Sequence, residues 1–249
     1  QAGKKFKILE IPKKLPYQIL SSSLNLGFNP MIFTSRSLLY YFRNKIKLTP
    51  ISSSIINSNI SKAHKSIKFY SLRPDVVGES VKSKIKRLTQ ILKNDRSDHI
   101  FITAPENVAW LLNIRGRDNP FSPIPKCRAI LNIKGEISFF SDIKSCSNIL
   151  TNKDFKRTFF FKENQIEDFL IKLKAKKIII DKNSCSVLFE NLISSKFKIS
   201  KIGDPLYLMK SVKNKVEINK TIESHIYDGV AVTKFLYWMK QNQKKKLSE

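Results

Sequence analysis

The sequence predicts an α/β protein in which a mixed sheet is flanked by helices. Segments with helical hydrophobic spacing alternate along the chain with short β-rich runs, the order expected when helices cover a sheet. Two of the β-rich runs are joined across Lys134-Gly135 and predict a hairpin. Hydrophobic residues make up 41% of the 249 residues, which is enough for a sizeable core.

Residues 1–72 are interpreted as a first α/β piece followed by a linker. Its predicted elements are, in order, the strand "FKILEI", the helix "YQILSSSL", the strand "LGF", the helix "SRSLLYYFRN" and the strand "KLTPI". The polar run that covers 52–66 and ends in "SLRPD" (71–75) has no steady hydrophobic period and predicts the linker.

Residues 73–202 predict a complete second α/β unit. In its first helix Val81, Ile85, Leu88 and Leu92 fall at helical spacing, with lysines on the opposite side. The segments that follow predict the strand "HIFIT", a short helix from Pro105, the hairpin "CRAILNIKGEISFF", the helix "QIEDFLIKLKA", the strand "KKIIID" and the helix "SVLFENLISS".

Residues 203–249 are almost wholly helical in pattern. A glycine inside a helix costs about 1 kcal/mol relative to alanine, so we expect close packing at Gly229. Trp238 lies near the end of the pattern and is expected to pack on a neighbour. The apolar positions of this long helix are Ile218, Ile222, Ile226, Val230 and Phe235.

The formal net charge of +26 raises the question of a polyanion partner. The lysine excess is spread evenly from Lys4 to Lys246 among abundant Ile, Asn, Ser and Phe, which is typical of a bacterial-like, AT-rich composition. A dedicated site concentrates charge and interleaves arginine with aromatic residues, and no stretch does so. No specific nucleic acid is therefore predicted. A basic polyanion-binding or interaction module that reuses the fold remains the alternative, and binding that survives about 200 mM salt would favour it.

Signatures of catalysis are scarce. The chain has no Gly-x-Ser-x-Gly elbow, no phosphate-binding glycine-rich loop and no His-Glu-x-x-His. His225 and Asp228 are three residues apart on the long helix and could form half a metal site, but no further acidic residue or histidine completes it. Both are interpreted as residues of helix packing, and no catalytic or metal-binding residue is assigned.

Cysteine usage and hydropathy predict a cytoplasmic protein without a membrane partner. The cysteines at 127, 146 and 185 are scattered and are interpreted as buried, reduced thiols. No secretory-type leader opens the sequence, and no run approaches the roughly 18 apolar residues of a membrane span.

The segment "VAWLLNIRGRDNPFSP" (Val108–Pro123) is the most distinctive part of the chain. Its helix carries Trp110 as a packing residue and is expected to end with Gly116 in the left-handed conformation. A stiff polar loop beside spaced prolines is typical of an interface or of a site wall. The candidate loop residues are Asn113, Arg115, Gly116 and Asp118.

These residues resemble the middle domain of Xaa-Pro aminopeptidase (aminopeptidase P), a pita-bread metallopeptidase. The family's Ala-Trp-Leu-Leu-Asn-Ile-Arg-Gly-x-Asp-x-x-x-x-Pro run is met by residues 109–116, Asp118 and Pro123. "LGFNPMIFT" is similar to a Gly-x-Asp-Pro segment of the first domain, with Asn29 in place of aspartate. The helix that opens the family's catalytic domain is similar to "SVKNKVEINKTIESHIYDGVAVTKFLYWMK". The residues that match the family pattern at the corresponding positions are Lys213, Asn214, Glu217, His225, Asp228, Gly229 and Trp238.

The resemblance implies creatinase N-terminal-type domains that belong to an enzyme releasing an N-terminal residue before proline. In the family a pair of divalent ions, commonly manganese, activates the attacking hydroxide. Five ligands hold them, all downstream of the helix that ends near Trp238. The sequence is therefore expected to be an interior slice: a truncated first domain at 1–72, a middle domain at 73–202 and the opening helices of a truncated pita-bread domain at 203–249.

The resemblance also implies which activity and partners the chain has on its own. The chain alone should hold no metal cofactor and have no peptidase activity, supplying non-catalytic domains that support the substrate groove and the oligomer. Its expected partners are further copies of itself or the remaining catalytic part, with Xaa-Pro peptides bound only by the complete enzyme. An exposed apolar face on the 214–240 helix would also fit a subunit that completes a separately encoded catalytic half.

Overall fold

A computed structural model describes residues 10–11, 13–51, 67–119 and 121–243. The predicted α/β class with a mixed sheet flanked by helices is confirmed. Most of the predicted first strand "FKILEI" and residues 52–66 of the predicted linker lie outside the described residues. The end of that linker, "SLRPD", is described and takes part in a short strand (Tyr70–Ser71) and a short helix (Pro74–Val77), so the prediction of irregular structure is wrong there.

The first unit is a small parallel β-pair with one helix. It contains β1 (Asn25–Phe28), α1 (Ser35–Phe42) and β2 (Lys47–Pro50), as predicted. The predicted helix "YQILSSSL" is wrong, because only a 3-10 turn over Pro16–Gln18 forms there. The serines explain the difference: Ser21 Oγ accepts a hydrogen bond from Ser23 N, which offers the backbone a turn in place of a helix.

The second unit carries most of the secondary structure. In chain order its elements are β3 (Tyr70–Ser71), α2 (Pro74–Val77), α3 (Val81–Asp95), β4 (His99–Ile102), α4 (Pro105–Leu111), β5 (Ile114–Arg115), β6 (Cys127–Asn132), β7 (Ile137–Ser141), β8 (Thr158–Lys162), α5 (Ile166–Lys172), β9 (Lys177–Asp181), α6 (Val187–Ser194) and β10 (Lys198–Ile202). The helices α3 to α6 and the hairpin formed by β6 and β7 agree with the prediction, whereas the short helix α2 was not predicted.

Six strands form the central sheet in the order β10-β9-β4-β6-β7-β8. β6 is antiparallel to both of its neighbours, and all the other pairs are parallel. β8, β10 and the two-residue pair β3–β5 were not predicted. β8 and β10 lie at the two edges of the sheet. β10 mixes lysine and serine with isoleucine and gives a weak hydrophobic signal, whereas the three phenylalanines of β8 are a signal that the sequence analysis did not use.

The core lies on both faces of this sheet. Alternation along β7 places Phe139 in the cluster beneath α3 and α4, and Phe140 in the cluster beneath α5 and α6. All three cysteines are buried, as predicted. Burial raises the pKa of the Cys146 and Cys185 thiols to about 12, so both are small apolar side chains at neutral pH.

The first unit is attached to the second by main-chain hydrogen bonds. The amides of Val187 and Leu188, at the start of α6, donate to the carbonyls of Phe33 and Pro30 at 2.8 and 3.0 Å. These bonds use donors at the first turn of a helix, which have no partner within the helix itself.

The C-terminal segment forms α7 (Pro205–Ser211) and the 27-residue α8 (Lys215–Gln241). No residue of α8 is buried, and the packing expected at Gly229 is absent, since a Cβ built there meets no described heavy atom within 4 Å. Within the described ranges no helix has the length and hydropathy needed to span a membrane.

Two alanine substitutions should distinguish the contribution of the sheet unit to stability from that of α8. Leu88 is fully buried in the core, whereas Ile222 on α8 is 57% exposed. Leu88→Ala is expected to lower the free energy of unfolding by about 2–5 kcal/mol. Ile222→Ala should change it by no more than about 0.5 kcal/mol. Urea unfolding followed by circular dichroism measures both, and a large loss at Ile222 would show that α8 packs on this chain.

Candidate functional site

A cleft of about 500 Å³ separates the sheet unit from the first turns of α8. We call it the helix cleft. It gathers five residues that the sequence singled out, which are Trp110, Asn113, Arg115, His225 and Asp228. Gly116, Asp118 and Trp238 are not among its lining residues. Lys84, which the sequence analysis did not select, is.

Asn113 ends the helix that carries Trp110. Its φ of 53° is left-handed, a conformation that asparagine tolerates better than most residues. The prediction that Gly116 adopts this conformation is wrong, because the described glycines with positive φ are Gly78 and Gly135. The reversal therefore comes three residues earlier than the glycine suggested.

Gly116 has a different reason to be glycine. A Cβ at this position would lie 2.7 Å from Pro125 Cα, so a side chain would push the two backbone segments apart. The amide of Gly116 also donates to Pro123 O at 3.1 Å. Close approach of the two ends of the loop, and not a left-handed turn, fixes the residue.

Lys84 is a buried cation at the floor of the helix cleft. It is 1% exposed, and its Nζ donates to Trp110 O at 2.8 Å and to Asn113 Oδ1 at 2.6 Å. The ammonium also lies 4.0 Å from the centre of the Trp110 ring, within cation–π range. Burial lowers the Lys84 pKa to about 8, while the charges of Glu79 and Glu217 oppose the shift.

A signal for Lys84 was available in the sequence. Position 84 is three residues after Val81 and four before Leu88, so it belongs to the same buried face of α3. Lysines were all assigned to the outer face because an unpaired lysine is rarely buried. The carbonyl and amide oxygens that pair with it come from the α4–β5 turn and cannot be read from local spacing.

Arg115 and Trp110 form the wall on the sheet side. Arg115 is half-buried, and its Nη1 donates to Ile114 O at 2.8 Å and weakly to Ala109 O at 3.4 Å. Desolvation lowers the pKa of this arginine. Trp110 is half-buried as well, and its buried Nε1 has no hydrogen-bond partner among the described residues.

The opposite wall is anchored through Asn214, the residue before α8. Asn214 and Glu217 exchange hydrogen bonds of 2.9 and 3.0 Å in a capping box. The Asn214 side-chain amide also donates to Val77 O at 2.8 Å. Gly78 makes room for it, since a Cβ at Gly78 would overlap Asn214 Oδ1 and the φ of 67° disfavours any side chain.

The remaining candidate residues are at the surface. His225 and Asp228 are exposed on the α8 wall. Asp118 is exposed and accepts a 2.6 Å hydrogen bond from Lys126 N, which closes the loop. Trp238 is 48% exposed and stacks on Phe235 with 6.1 Å between ring centres. Across the described residues no three His, Cys, Asp or Glu side chains are grouped to hold a metal ion.

This fold and sequence define a class of protein. A family model of the creatinase/prolidase N-terminal domain matches residues 61–217, more than half of the chain. The chain therefore belongs to the creatinase/prolidase N-terminal domain family.

Proteins similar in sequence to this chain include Xaa-Pro aminopeptidases. Xaa-Pro aminopeptidase 1 of Dictyostelium discoideum is 28% identical over 185 residues, covering 72% of this chain and 28% of that protein. Xaa-Pro aminopeptidase ApepP of Drosophila melanogaster is 25% identical over 214 residues, covering 80% of this chain and 33% of that protein. The resemblance inferred from the motifs is confirmed.

A solved structure shares the fold. The X-prolyl aminopeptidase of Caenorhabditis elegans, described as a cytosolic enzyme with a di-nuclear active site, superposes with a TM-score of 0.76 at 17% identity. The match covers 91% of this chain and 39% of that one. The chain thus spans between 28% and 39% of the length of these relatives.

Gly116→Ala is expected to destabilise the chain by about 1–3 kcal/mol, because the new Cβ overlaps the backbone of Pro125. Gly229→Ala is the matched control. Its Cβ meets nothing, so the substitution should stabilise α8 by about 1 kcal/mol through helix propensity. Thermal unfolding and helix content by circular dichroism test the pair, and equal effects of both would contradict the close approach.

Lys84 should make stability depend on pH. Its folded pKa of about 8 is below the ordinary 10.5, so between these values the unfolded chain binds more protons and stability rises with pH. We expect wild type to gain about 1 kcal/mol per pH unit over this window relative to Lys84→Met. At pH 7 the variant leaves Asn113 Oδ1 and Trp110 O without a donor. Parallel stability curves for the two proteins from pH 7 to 10.5 would show that Lys84 is not desolvated.

Proposed function

We propose that this chain forms the N-terminal units of an Xaa-Pro aminopeptidase and presents α8 to the catalytic part of that enzyme. In this proposal residues 1–72 belong to the first domain, 73–202 form the middle domain, and 203–249 begin the catalytic domain. The shared family, the relatives' greater length and the exposed long helix support it.

The exposed apolar surface of α8 carries the proposal. A helix that is apolar around most of its circumference is normally buried. The large apolar side chains on α8, each 40–70% exposed, are Ile218, Ile222, Ile226, Tyr227, Val230, Val232, Phe235, Leu236, Tyr237, Trp238 and Met239. Such a surface is far larger than a soluble monomer usually leaves uncovered, so we assign it to contact with the catalytic part.

The contacts around the helix cleft orient α8 relative to the sheet unit. Asn214, the residue before α8, donates a hydrogen bond to Val77 O, and among the described residues no residue of α8 itself is buried. Asn113 and Arg115 shape the opposite wall of the cleft, while Gly116 and Asp118 tie the adjoining loop closed. In this role these residues are interface residues that orient the helix and the loop and take no part in bond breaking.

We assign the metals to the catalytic part. The C. elegans relative has a di-nuclear active site. Within the described ranges of this chain, His225 and Asp228 have no third ligating side chain grouped with them. Manganese is the ion we propose for the complete enzyme, with Xaa-Pro peptides as substrates and the cytoplasm as its location.

The chain by itself is expected to be inactive. Purified chain is incubated with an Xaa-Pro-Pro peptide and manganese, the released amino acid is measured, and metal binding is followed by calorimetry in the same sample. We expect no release and no stoichiometric binding, because the ligand set lies outside this chain. The C. elegans enzyme is the positive control. Metal-dependent release that His225→Ala abolishes would overturn the assignment of the metals.

A further inference from the structure

Arg115 is a half-buried cation whose charge is not matched by a carboxylate. Its Nη1 donates to the carbonyl oxygens of Ile114 and Ala109, and among the described residues it forms no ion pair. Arg128 is half-buried as well, but its Nη1 pairs with Glu163 at 2.7 Å. A guanidinium withdrawn from water needs compensation that two carbonyl dipoles supply only in part. Arg115 can therefore accept an anionic partner from outside the chain.

The helix cleft, which Arg115 lines, has an excess of positive charge. Glu217 Oε2 accepts from Asn214 N at 2.9 Å, so this carboxylate is already engaged in the capping box. Lys220 pairs with Glu223, which is not a lining residue, at 2.7 Å. Four cations stand against two carboxylates in the lining, and these residues are Lys84, Arg115, Lys213, Lys220, Glu217 and Asp228.

The lining of the helix cleft also contains hydrogen-bond donors that lack acceptors. Arg115 uses only Nη1 in hydrogen bonds to the described residues, so its Nε and Nη2 are available. Trp110 lines the cleft too, and its buried Nε1 has no partner among the described residues. Donors without acceptors are costly to leave unmatched away from water. A ligand that suits this lining therefore brings acceptors.

The apolar part of the lining determines what else the ligand must carry. Leu72, Val76 and Val77 contribute only aliphatic side chains to the cleft. Its volume of about 500 Å³ falls within the range of about 300–1,000 Å³ that is usual for small-molecule sites. The fork of a guanidinium matches the two oxygens of a carboxylate through parallel hydrogen bonds. A carboxylate joined to an apolar body satisfies both parts of the lining.

We propose that the helix cleft is a binding site for a small carboxylic acid with an apolar body. Arg115 anchors the carboxylate through Nε and Nη2, and the aliphatic side chains of Leu72, Val76 and Val77 contact the body. The lysines of the lining add attraction at longer range. This inference goes beyond the proposed aminopeptidase role and does not depend on it, because every residue of the site belongs to this chain.

Tryptophan fluorescence tests the site. The chain has two tryptophans, so Trp238→Phe leaves Trp110 as the only one. The probes are isocaproate, the uncharged isocaproamide of the same shape, and acetate, which has the charge but almost no apolar body. Isocaproate should change the Trp110 emission saturably. The other two probes should bind at least about tenfold more weakly, because each lacks one half of the match. Calorimetry on the wild-type chain measures the same affinities.

Two arginine variants isolate the anchor. Arg115→Met should raise the dissociation constant of isocaproate at least about tenfold, because the charged pair is lost. Arg117→Met is the matched control, since Arg117 is exposed on the adjoining loop and does not line the cleft. It removes the same charge from the chain and should change the constant by no more than about twofold in moderate salt.

A third variant guards against misfolding of Arg115→Met, which circular dichroism would reveal. Arg115→Lys keeps the charge but loses the fork of donors, so its dissociation constant should lie between those of wild type and Arg115→Met. If Arg115→Met does not fold, the weaker binding expected of Arg115→Lys relative to Arg117→Met tests the anchor instead.

Four results would overturn the proposal. The first is an isocaproate titration without saturation up to about 10 mM. The second is equal affinity for isocaproate and isocaproamide, which would mean that the carboxylate is not recognised. The third is an equal effect of Arg115→Met and Arg117→Met, which would attribute binding to overall charge. The fourth is displacement of isocaproate by an equal concentration of inorganic phosphate, which would indicate a general anion site. None of these measurements uses peptidase activity, so the two proposals are tested separately.

Discussion

One buried charge organises the surroundings of the helix cleft. The Lys84 ammonium is removed from water and must be compensated by nearby oxygens and by a π-face. Trp110 and Asn113 supply both, and they belong to a single reversal of the chain. The other end of the Asn113 amide donates to Glu79 O, which lies next to Gly78. The same charge is thus linked, through two side-chain contacts and a short backbone segment, to the residues that receive α8.

This linkage fits the proposal that the most distinctive motif of the chain serves contacts between protein surfaces. The left-handed conformation of Asn113 reverses the chain direction, and Gly116 allows the backbone to approach Pro125 closely. Asp118 closes the loop by accepting a hydrogen bond from Lys126 N. Their combined effect is to hold the two ends of the loop together. Rigid elements that end in exposed apolar side chains are suited to binding other protein surfaces. In our proposal the motif serves as an interface scaffold.

The sequence predicted the regular parts of the fold well, for a physical reason. α3, the hairpin and β9 are long or strongly apolar, so their periodicity follows directly from which face is buried. β10 lies at a sheet edge and mixes lysine with apolar residues, and β3 and β5 are two residues each, so tertiary pairing decides them. Local sequence was insufficient for the helix cleft for the same reason. Position 84 has the spacing of a buried helix residue, but the oxygens that accept hydrogen bonds from its ammonium lie 26 and 29 residues further along the chain.

Three glycines differ in whether contacts within this chain explain them. Gly78 and Gly116 are required by close contacts within this chain, Gly78 with the side chain of Asn214 and Gly116 with the backbone of Pro125. Gly229 meets nothing within 4 Å, yet it stands in the middle of a 27-residue helix, where alanine would be more favourable by about 1 kcal/mol. No contact among the described residues offsets that cost. A glycine in a helix is explained by a surface that approaches its backbone closely, and the exposed apolar residues on either side indicate where that surface lies. Gly229 therefore supports the proposed covering of α8 independently of the hydrophobic side chains.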